Sequence, residues 1–327
     1  MAFAVGVDVG GTKILSGLVD HDGVIHAIDR RPTPHNGDAI VASIVSAVTD
    51  LCEDGDCSAL PVGVGYPGLV THDGVARYGP NIRLAEYRLR DHLVEQLGSE
   101  EVIVTNDARA ATWAEFVIGA GREVATTMVM ITLGTGIGGG LIIGGELHRG
   151  HNGFAGEVGH VVIDVGGEPG TSGVDGEIEA YASGSAMARM AREAHAAGAF
   201  EGTPLAGAAP PGGEAISRAA ADGIEPAIRV LAEAGRYLGI SAAGLVNVLD
   251  PELIVVGGGA AGAGEFVLEP ARQALRTHVL GPGHRPDVPI VAATLGPEAG
   301  MIGSGLLALG FADARRLGHT SGGVAPG

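Results

Sequence analysis

The most restrictive feature of this chain is a pattern that occurs twice: strand, glycine turn, strand, turn, strand. In the first copy, residues 2–9 read as a strand ended by Gly10-Gly11. Residues 13–19 read as a second strand, and residues 24–29 as a third after the turn His21-Asp22-Gly23. In the second copy, residues 127–132 form a strand and Gly134-Thr135-Gly136-Ile137-Gly138-Gly139 a turn. Residues 141–143 then form a second strand, and a third begins at 146–148. Each copy leads into helical segments. Ile40, Ile44, Val45 and Val48 share one face over 39–51, and further helices are predicted at 88–96, 108–118, 185–197, 213–222, 225–247, 265–275 and 299–309. Short strands are expected at 61–66, 102–105, 253–256 and 288–292. A unit that occurs twice predicts two like α/β domains with a ligand between them. The expected limits are residues 1–113 with 300–315 for the smaller domain and 114–299 for the larger. A tail of disordered composition follows at 316–327.

Composition narrows the choice further. The chain has 327 residues, 46% of them hydrophobic, which is enough for two cores. Only 4% are aromatic while 57 are glycine, so cores of Val, Ile, Leu and Ala joined by tight turns suit α/β better than an aromatic-rich sandwich. The formal net charge of −18 opposes nucleic acid and anionic membranes as partners. It repels a bare nucleotide as well, so any phosphate site must rely on backbone amides, a local cation or a metal. No apolar run reaches the roughly 20 residues that span a bilayer. No basic stretch precedes the first strand, and a cytoplasmic location is expected. Cys52 and Cys57 are read as free thiols, since two cysteines alone lack the ligands zinc needs.

Three glycine turns carry the chemistry. Asp8-Val9-Gly10-Gly11-Thr12-Lys13 offers close-approaching amides, a hydroxyl and a cation to an anion, with Asp8 able to hold Mg²⁺ through water; an ordinary hairpin is the plain alternative. Gly134-Thr135-Gly136-Ile137-Gly138-Gly139 matches a dinucleotide fingerprint in letters only, because a strand and not a helix follows it. Gly257-Gly258-Gly259 ends a strand and could pass flat against a nucleoside, or could serve as a plain strand-to-helix connection. Between the first two turns, Asn106-Asp107 stands at a strand end. Asp107 is placed to accept a proton from a hydroxyl, and either residue could cap the following helix. Asn81 offers an amide that both donates and accepts, with a plain turn asparagine as the alternative. Glu157, His160 and Glu179 offer the mixed acceptors and donors that a polyol needs, with a satisfied core histidine as the alternative for His160.

Together these segments resemble the ROK family, and within it the sugar kinases of bacterial glucokinase type. The resemblance runs from Val5 to about Leu309. It is carried by Asp8-Val9-Gly10-Gly11-Thr12-Lys13, Asn106-Asp107-Ala108, the run Leu133 to Leu141, Gly156-Glu157-Val158-Gly159-His160, and the run Glu179 to Gly184. It implies an actin-like (ribonuclease H-like) two-domain fold, α/β with mixed sheets flanked by helices, closing on sugar and ATP–Mg²⁺. It makes Asp107 the general base for the 6-hydroxyl of a hexose, glucose first, with N-acetylglucosamine, mannose or fructose as alternatives. Gly68, Asn81, Asn106, Glu157, His160 and Glu179 would hold the sugar. Gly10, Gly11, Thr12 and Lys13 with Gly134, Thr135 and Gly136 would grip the phosphates, and Gly257, Gly258 and Gly259 would lie near the adenosine. A homodimer or higher homo-oligomer is the family expectation. Relatives also include sugar-responsive repressors with an added winged helix, a reading that the acidic charge and the first phosphate strand at the chain's start disfavour. A sugar-binding protein without catalysis is disfavoured by the presence of Asp107.

One segment departs from the family pattern. Members usually show Cys-x-Cys-Gly-x-x-Gly-Cys-x-Glu, whose cysteines hold zinc with a histidine; here Gly170, Ser172 and Glu177 stand at the cysteine positions. Glycine has no donor atom and a serine hydroxyl is a poor one, so no structural zinc is expected. His160 then needs another partner to fix its ring, and Glu177 or Asp175 could supply it.

Overall fold

The computed structural model describes residues 2–52, 60–79, 82, 84–207 and 212–316. The chain divides into two compact units, Met1–Arg122 with Leu147–Ala155 and Pro297–Gly327, and Glu123–Glu146 with Gly156–Gly296. Asn81 and the Gly/Ser/Pro-rich tail lie outside the described residues.

The first unit opens on a meander of β1 (Phe3–Val9), β2 (Lys13–Asp20) and β3 (Ile25–Pro32), followed by α1 (Gly37–Asp50). Next come β4 (Val62–Tyr66), the small hairpin β5 (Leu69–Val70) and β6 (Ala76–Tyr78), α2 (Leu89–Leu97), β7 (Val102–Asn106) and α3 (Asp107–Val117). The main sheet has the order β3-β2-β1-β4-β7, antiparallel between β1 and β2 and parallel from β1 to β4 to β7. Burial follows from that order. β4 is buried along its whole length, as expected for a central strand covered on both faces, whereas β3 alternates along the edge. Its core gathers Val5, Val7, Ile14, Ile40, Ile44, Val62, Val64, Leu89 and Val104, the apolar faces of α1 and α2 closing over the sheet.

The second unit repeats the plan. It comprises β8 (Met128–Leu133), β9 (Ile137–Ile143), β10 (Glu146–Leu147), α4 (Glu179–Ala182), α5 (Gly184–Ala196), α6 (Gly213–Ala221), α7 (Glu225–Leu249), β11 (Leu253–Gly257), α8 (Glu265–His278) and β12 (Ile290–Ala292). The sheet order β10-β9-β8-β11-β12 has the same form as the first: a meander, then two parallel strands beside its first member. Its core runs from Val129, Ile131 and Ile254 to Leu231, Leu238 and Val267, with the long helix α7 laid along it. The final helix, α9 (Ala299–Arg316), belongs to the first unit and lies on β1 and β4. Contact there is backbone to backbone. A Cβ built on Gly63 would fall 1.8 Å from Ser304 O, so only glycine lets the helix lie that close.

The mixed sheets flanked by helices agree with the expected fold class, and four details differ. The second glycine turn ends at Gly136 and not Gly139, because Gly138 and Gly139 pair with Thr132 and Ile131 as part of β9. The β5–β6 hairpin was not predicted; its strands are only two and three residues long, and Thr71 holds the turn by accepting at Oγ1 from Val75 N at 3.0 Å. α9 runs on to Arg316, past the expected end near 309. Cys52 is disulfide-bonded, which corrects the expectation that it is a free thiol, while Cys57 lies outside the described residues. That expectation rested on cell compartment, which does not fix the pairing of an individual cysteine.

Candidate active site

In the first unit, parallel pairing sets Asp8 of β1 beside Gly65 of β4, and Gly65 beside Thr105 of β7. β7 ends at Asn106 and α3 begins at Asp107, so both acids stand at the carboxyl end of the sheet, where open α/β sheets bind ligands. Neither neighbour crowds them. A Cβ on Gly65 would lie 3.2 Å from Asp107 Cα, and one on Gly300 would lie 3.0 Å from the Asp8 carboxyl carbon. Asn106 Oδ1 caps α3 by accepting from Arg109 N at 2.9 Å, and its Nδ2 donates to Gly68 O at 3.2 Å. The cap and the strand end therefore fix one another, and Gly68 is drawn to the same place.

The electrostatics of the acid pair follow from this packing. Burial pushes Asp8 up to about 7; the Asp107 carboxylate adds to the rise and Lys13 opposes it. Burial also raises Asp107, against the backbone amides of Ala108 and of Asp107 itself and the Arg109 guanidinium. Ala108 N donates to Asp107 Oδ1 at 2.8 Å, which orients the carboxyl. A carboxylate raised toward neutrality is a stronger base than a surface aspartate and suits proton removal from a hydroxyl. The crowded negative charge also suits a hydrated divalent cation with oxygen ligands at Asp8, so the residues fit Mg²⁺.

The turn after β1 is tied down from below. Gly10 N donates to Lys13 O at 2.9 Å, Thr33 Oγ1 to Gly10 O at 2.6 Å, and Thr33 N to Thr12 O at 3.1 Å. Gly11, Thr12 and Lys13 remain exposed to solvent. Sequence reasoning missed Thr33, whose only local sign is a β-branched residue just past a strand end.

In the second unit, the turn Gly134-Thr135-Gly136 is held by the start of α5. Gly184 N donates to Gly134 O at 2.9 Å and Ser185 N to Thr135 O at 3.3 Å, while Ser183 caps the helix through Ala186 N. Glu179 reaches the same turn: Ile137 N donates to its Oε2 at 2.8 Å, and Thr171 Oγ1 donates to its Oε1. A Cβ on Gly136 would fall 2.3 Å from Glu179 Oε2, so the glycine makes room for the carboxylate. Gly257 pairs with Thr132, and Gly258, at φ +87°, passes so near Leu133 that a Cβ there would lie 2.4 Å from Leu133 O. Turn 134–136, Gly257 to Gly259, Glu179 and the α5 N-terminus are thus one cluster.

Glu157 precedes, and His160 ends, a single 3₁₀ turn, Val158–His160. His160 Nδ1 lies 3.2 Å from Glu177 Oε1, and Ser172 Oγ donates to that same oxygen at 2.7 Å. Of the two acids considered as ring partners for His160, Glu177 is the one in place. Arg109, a further residue that sequence reasoning missed, is 1% exposed; its Nη2 donates to Gly153 O at 2.7 Å and Ala155 O at 3.4 Å, anchoring the segment just before Glu157. Nothing in its local sequence separates it from a solvent-facing helix arginine.

The pattern that defines the ROK family matches residues 4–310. A glucokinase of Streptomyces coelicolor is 37% identical over 319 residues, covering 94% of this chain and 98% of that protein. An N-acetylmannosamine kinase of Escherichia coli is 31% identical over 306 residues, covering 93% of this chain and 97% of that one. Among solved structures, a ROK family glucokinase from Streptomyces griseus in complex with glucose and AMPPNP is 36% identical with a TM-score of 0.83, covering 94% of this chain and all of that one. With the family pattern spanning both units and relatives of this identity matched end to end, the chain belongs to the ROK family.

Proposed function

We propose that this protein is an ATP-dependent sugar kinase that phosphorylates the 6-hydroxyl of a hexose, with glucose as its principal substrate. The observation that carries the reading is the raised acid pair Asp8–Asp107 at the carboxyl end of a sheet in a chain 36–37% identical to glucokinases. Asp107 takes the proton of the 6-hydroxyl as that oxygen bonds to the γ-phosphorus; the bond to the bridging oxygen breaks and ADP leaves. Asn106, oriented by its cap, and Gly68 hold the sugar together with Asn81, Glu157, His160 and Glu179. Each oxygen of Glu179 already accepts one hydrogen bond and keeps a lone pair for a hydroxyl. Gly10, Gly11, Thr12 and Lys13 and the turn Gly134-Thr135-Gly136 supply amides and hydroxyls to the phosphates. Gly257 to Gly259 borders the adenosine. Mg²⁺, held through water at Asp8, would neutralise phosphate charge when bound.

Among the described residues, no helix is long and apolar enough to cross a membrane. Residence in the cytoplasm and assembly as a homodimer or higher homo-oligomer complete the proposal. The test is ADP release measured across glucose, mannose, fructose, N-acetylglucosamine and N-acetylmannosamine. Glucose should give the highest kcat/KM, and Asp107→Ala should lower kcat by about 10²- to 10⁴-fold, the usual worth of a positioned base. The kinase reading fails if no sugar stimulates turnover. Preference for N-acetylmannosamine would move the substrate assignment toward the relative from Escherichia coli.

A further inference from the structure

The segment 161–178 is where this chain parts from its family's metal-binding pattern, and its residues do not fit zinc. A tetrahedral zinc site takes four nitrogen, sulfur or oxygen donors. Here Gly170 brings none, and the Ser172 hydroxyl is already committed as a donor to Glu177. A Cβ on Gly170 would fall 2.1 Å from Val174 O and 2.5 Å from Glu177 Oε2, so a side chain at 170 would require the 174 backbone as well as the Glu177 carboxylate to shift. The loop is closed by backbone pairing: Ile163 N donates to Gly176 O at 2.8 Å, Gly176 N to Glu168 O at 2.8 Å, and Gly170 N to Val174 O at 3.0 Å. Inside it the Glu177 side chain is only 3% exposed.

We propose that Glu177 is the positioning residue of His160 and reverses the ring's hydrogen-bond polarity relative to a metal-bound histidine. Oε1 faces two groups, Ser172 Oγ and His160 Nδ1, and Oε2 has no hydrogen-bond partner among the described residues. A carboxylate can only accept, so Nδ1 carries the hydrogen and donates it. In the neutral ring Nε2 then offers a lone pair. A metal on Nδ1 would demand the lone pair there and leave the hydrogen on Nε2. With the ring neutral, the outer edge of His160 in this protein is an acceptor, and the ligand group that meets it must donate. For the kinase proposed above, on which this second half rests, that group is a sugar hydroxyl giving its hydrogen to Nε2.

The tautomer can be read without substrate. The full chain, labelled with ¹⁵N-histidine, gives two-bond proton–nitrogen correlations that separate the two neutral tautomers at alkaline pH; the His160 signals are those lost in His160→Gln. Hydrogen on Nδ1 is expected, and hydrogen on Nε2 overturns the inference with no variant required. In Glu177→Gln the amide can donate as well as accept, so the Nδ1–H population should fall. KM for glucose should rise about tenfold, by analogy with the partners that orient metal-ligating histidines, while kcat stays within a factor of two. Glu177→Asp, which keeps the carboxylate, should recover part of the loss. Unchanged tautomer and KM in a folded Glu177→Gln chain would leave Glu177 a loop-packing residue only. A chain with hydrogen on Nδ1 that phosphorylates no sugar keeps the positioning role and overturns the kinase reading instead.

Discussion

Asp8 and Asp107 show how little of a residue's chemistry lies in its own side chain. An aspartate at a strand end is ordinary; burial beside a second carboxylate, with Gly300 leaving no Cβ against it, makes Asp8 bind its proton up to about pH 7. The folded group therefore holds its proton more tightly than the unfolded one. Its contribution to stability is complete below about pH 4, near the ordinary aspartate value. It is lost as pH rises through 7. Glu252 shows the opposite shift, held down to about 2 by amides of Thr127, Ala125 and Thr126, and its contribution is lost only in acid. Between pH 5 and 8, then, the ligand-free wild type is expected to lose thermal stability as pH rises. Asp8→Asn should flatten that slope, and equal slopes in the two proteins would refute the assignment. Asp107 was legible as a candidate base from Asn106-Asp107 following a strand. The pairing with Asp8 was not, because it depends on strands 1, 4 and 7 lying side by side.

At the scale of elements, caps and glycines decide which segments may touch. Asn106 terminates β7 and caps α3 with one side chain, so Asn106→Ala should cost about 1 kcal/mol of stability beyond any effect on sugar binding. Gly63 governs the seating of α9: a methyl group there would lie 1.8 Å from Ser304 O, a separation no side-chain motion can relieve. Gly63→Ala should therefore destabilise by at least the 1–3 kcal/mol typical of overpacking, about 2 kcal/mol or more, read by denaturant unfolding. A change below about 0.5 kcal/mol, the size of an ordinary surface substitution, would mean that α9 sits further from the sheet. The helix itself was legible, since the run after Gly300 is apolar and small. Its destination was not: α9 lies on β1 and β4, strands near the opposite end of the chain, a pairing no local periodicity encodes. The β5–β6 hairpin escaped for the opposite reason, being too short to show any period.

At the scale of the whole molecule, the twofold pattern of strands and glycine turns became two sheets of the same order, β3-β2-β1-β4-β7 and β10-β9-β8-β11-β12. Each unit has its own core of apolar side chains. Treatment with a strong chelator followed by gel filtration should leave the thermal transition unchanged, and Mg²⁺ alone should restore full turnover. A requirement for added zinc in either measurement would contradict the hydrogen-bonded replacement at Glu177. Read alone, the sequence determined the strand–turn–strand units, the location of their glycine turns, the candidate base at Asp107 and the missing zinc ligands, because these depend on local spacing and residue chemistry. Only the tertiary structure decided that Asp8 is raised beside Asp107, that Glu179 braces the 134–136 turn, and that Glu177 and not Asp175 holds His160. Those outcomes depend on burial and on which backbones approach within a few ångströms, and both are set by packing between segments far apart in the chain.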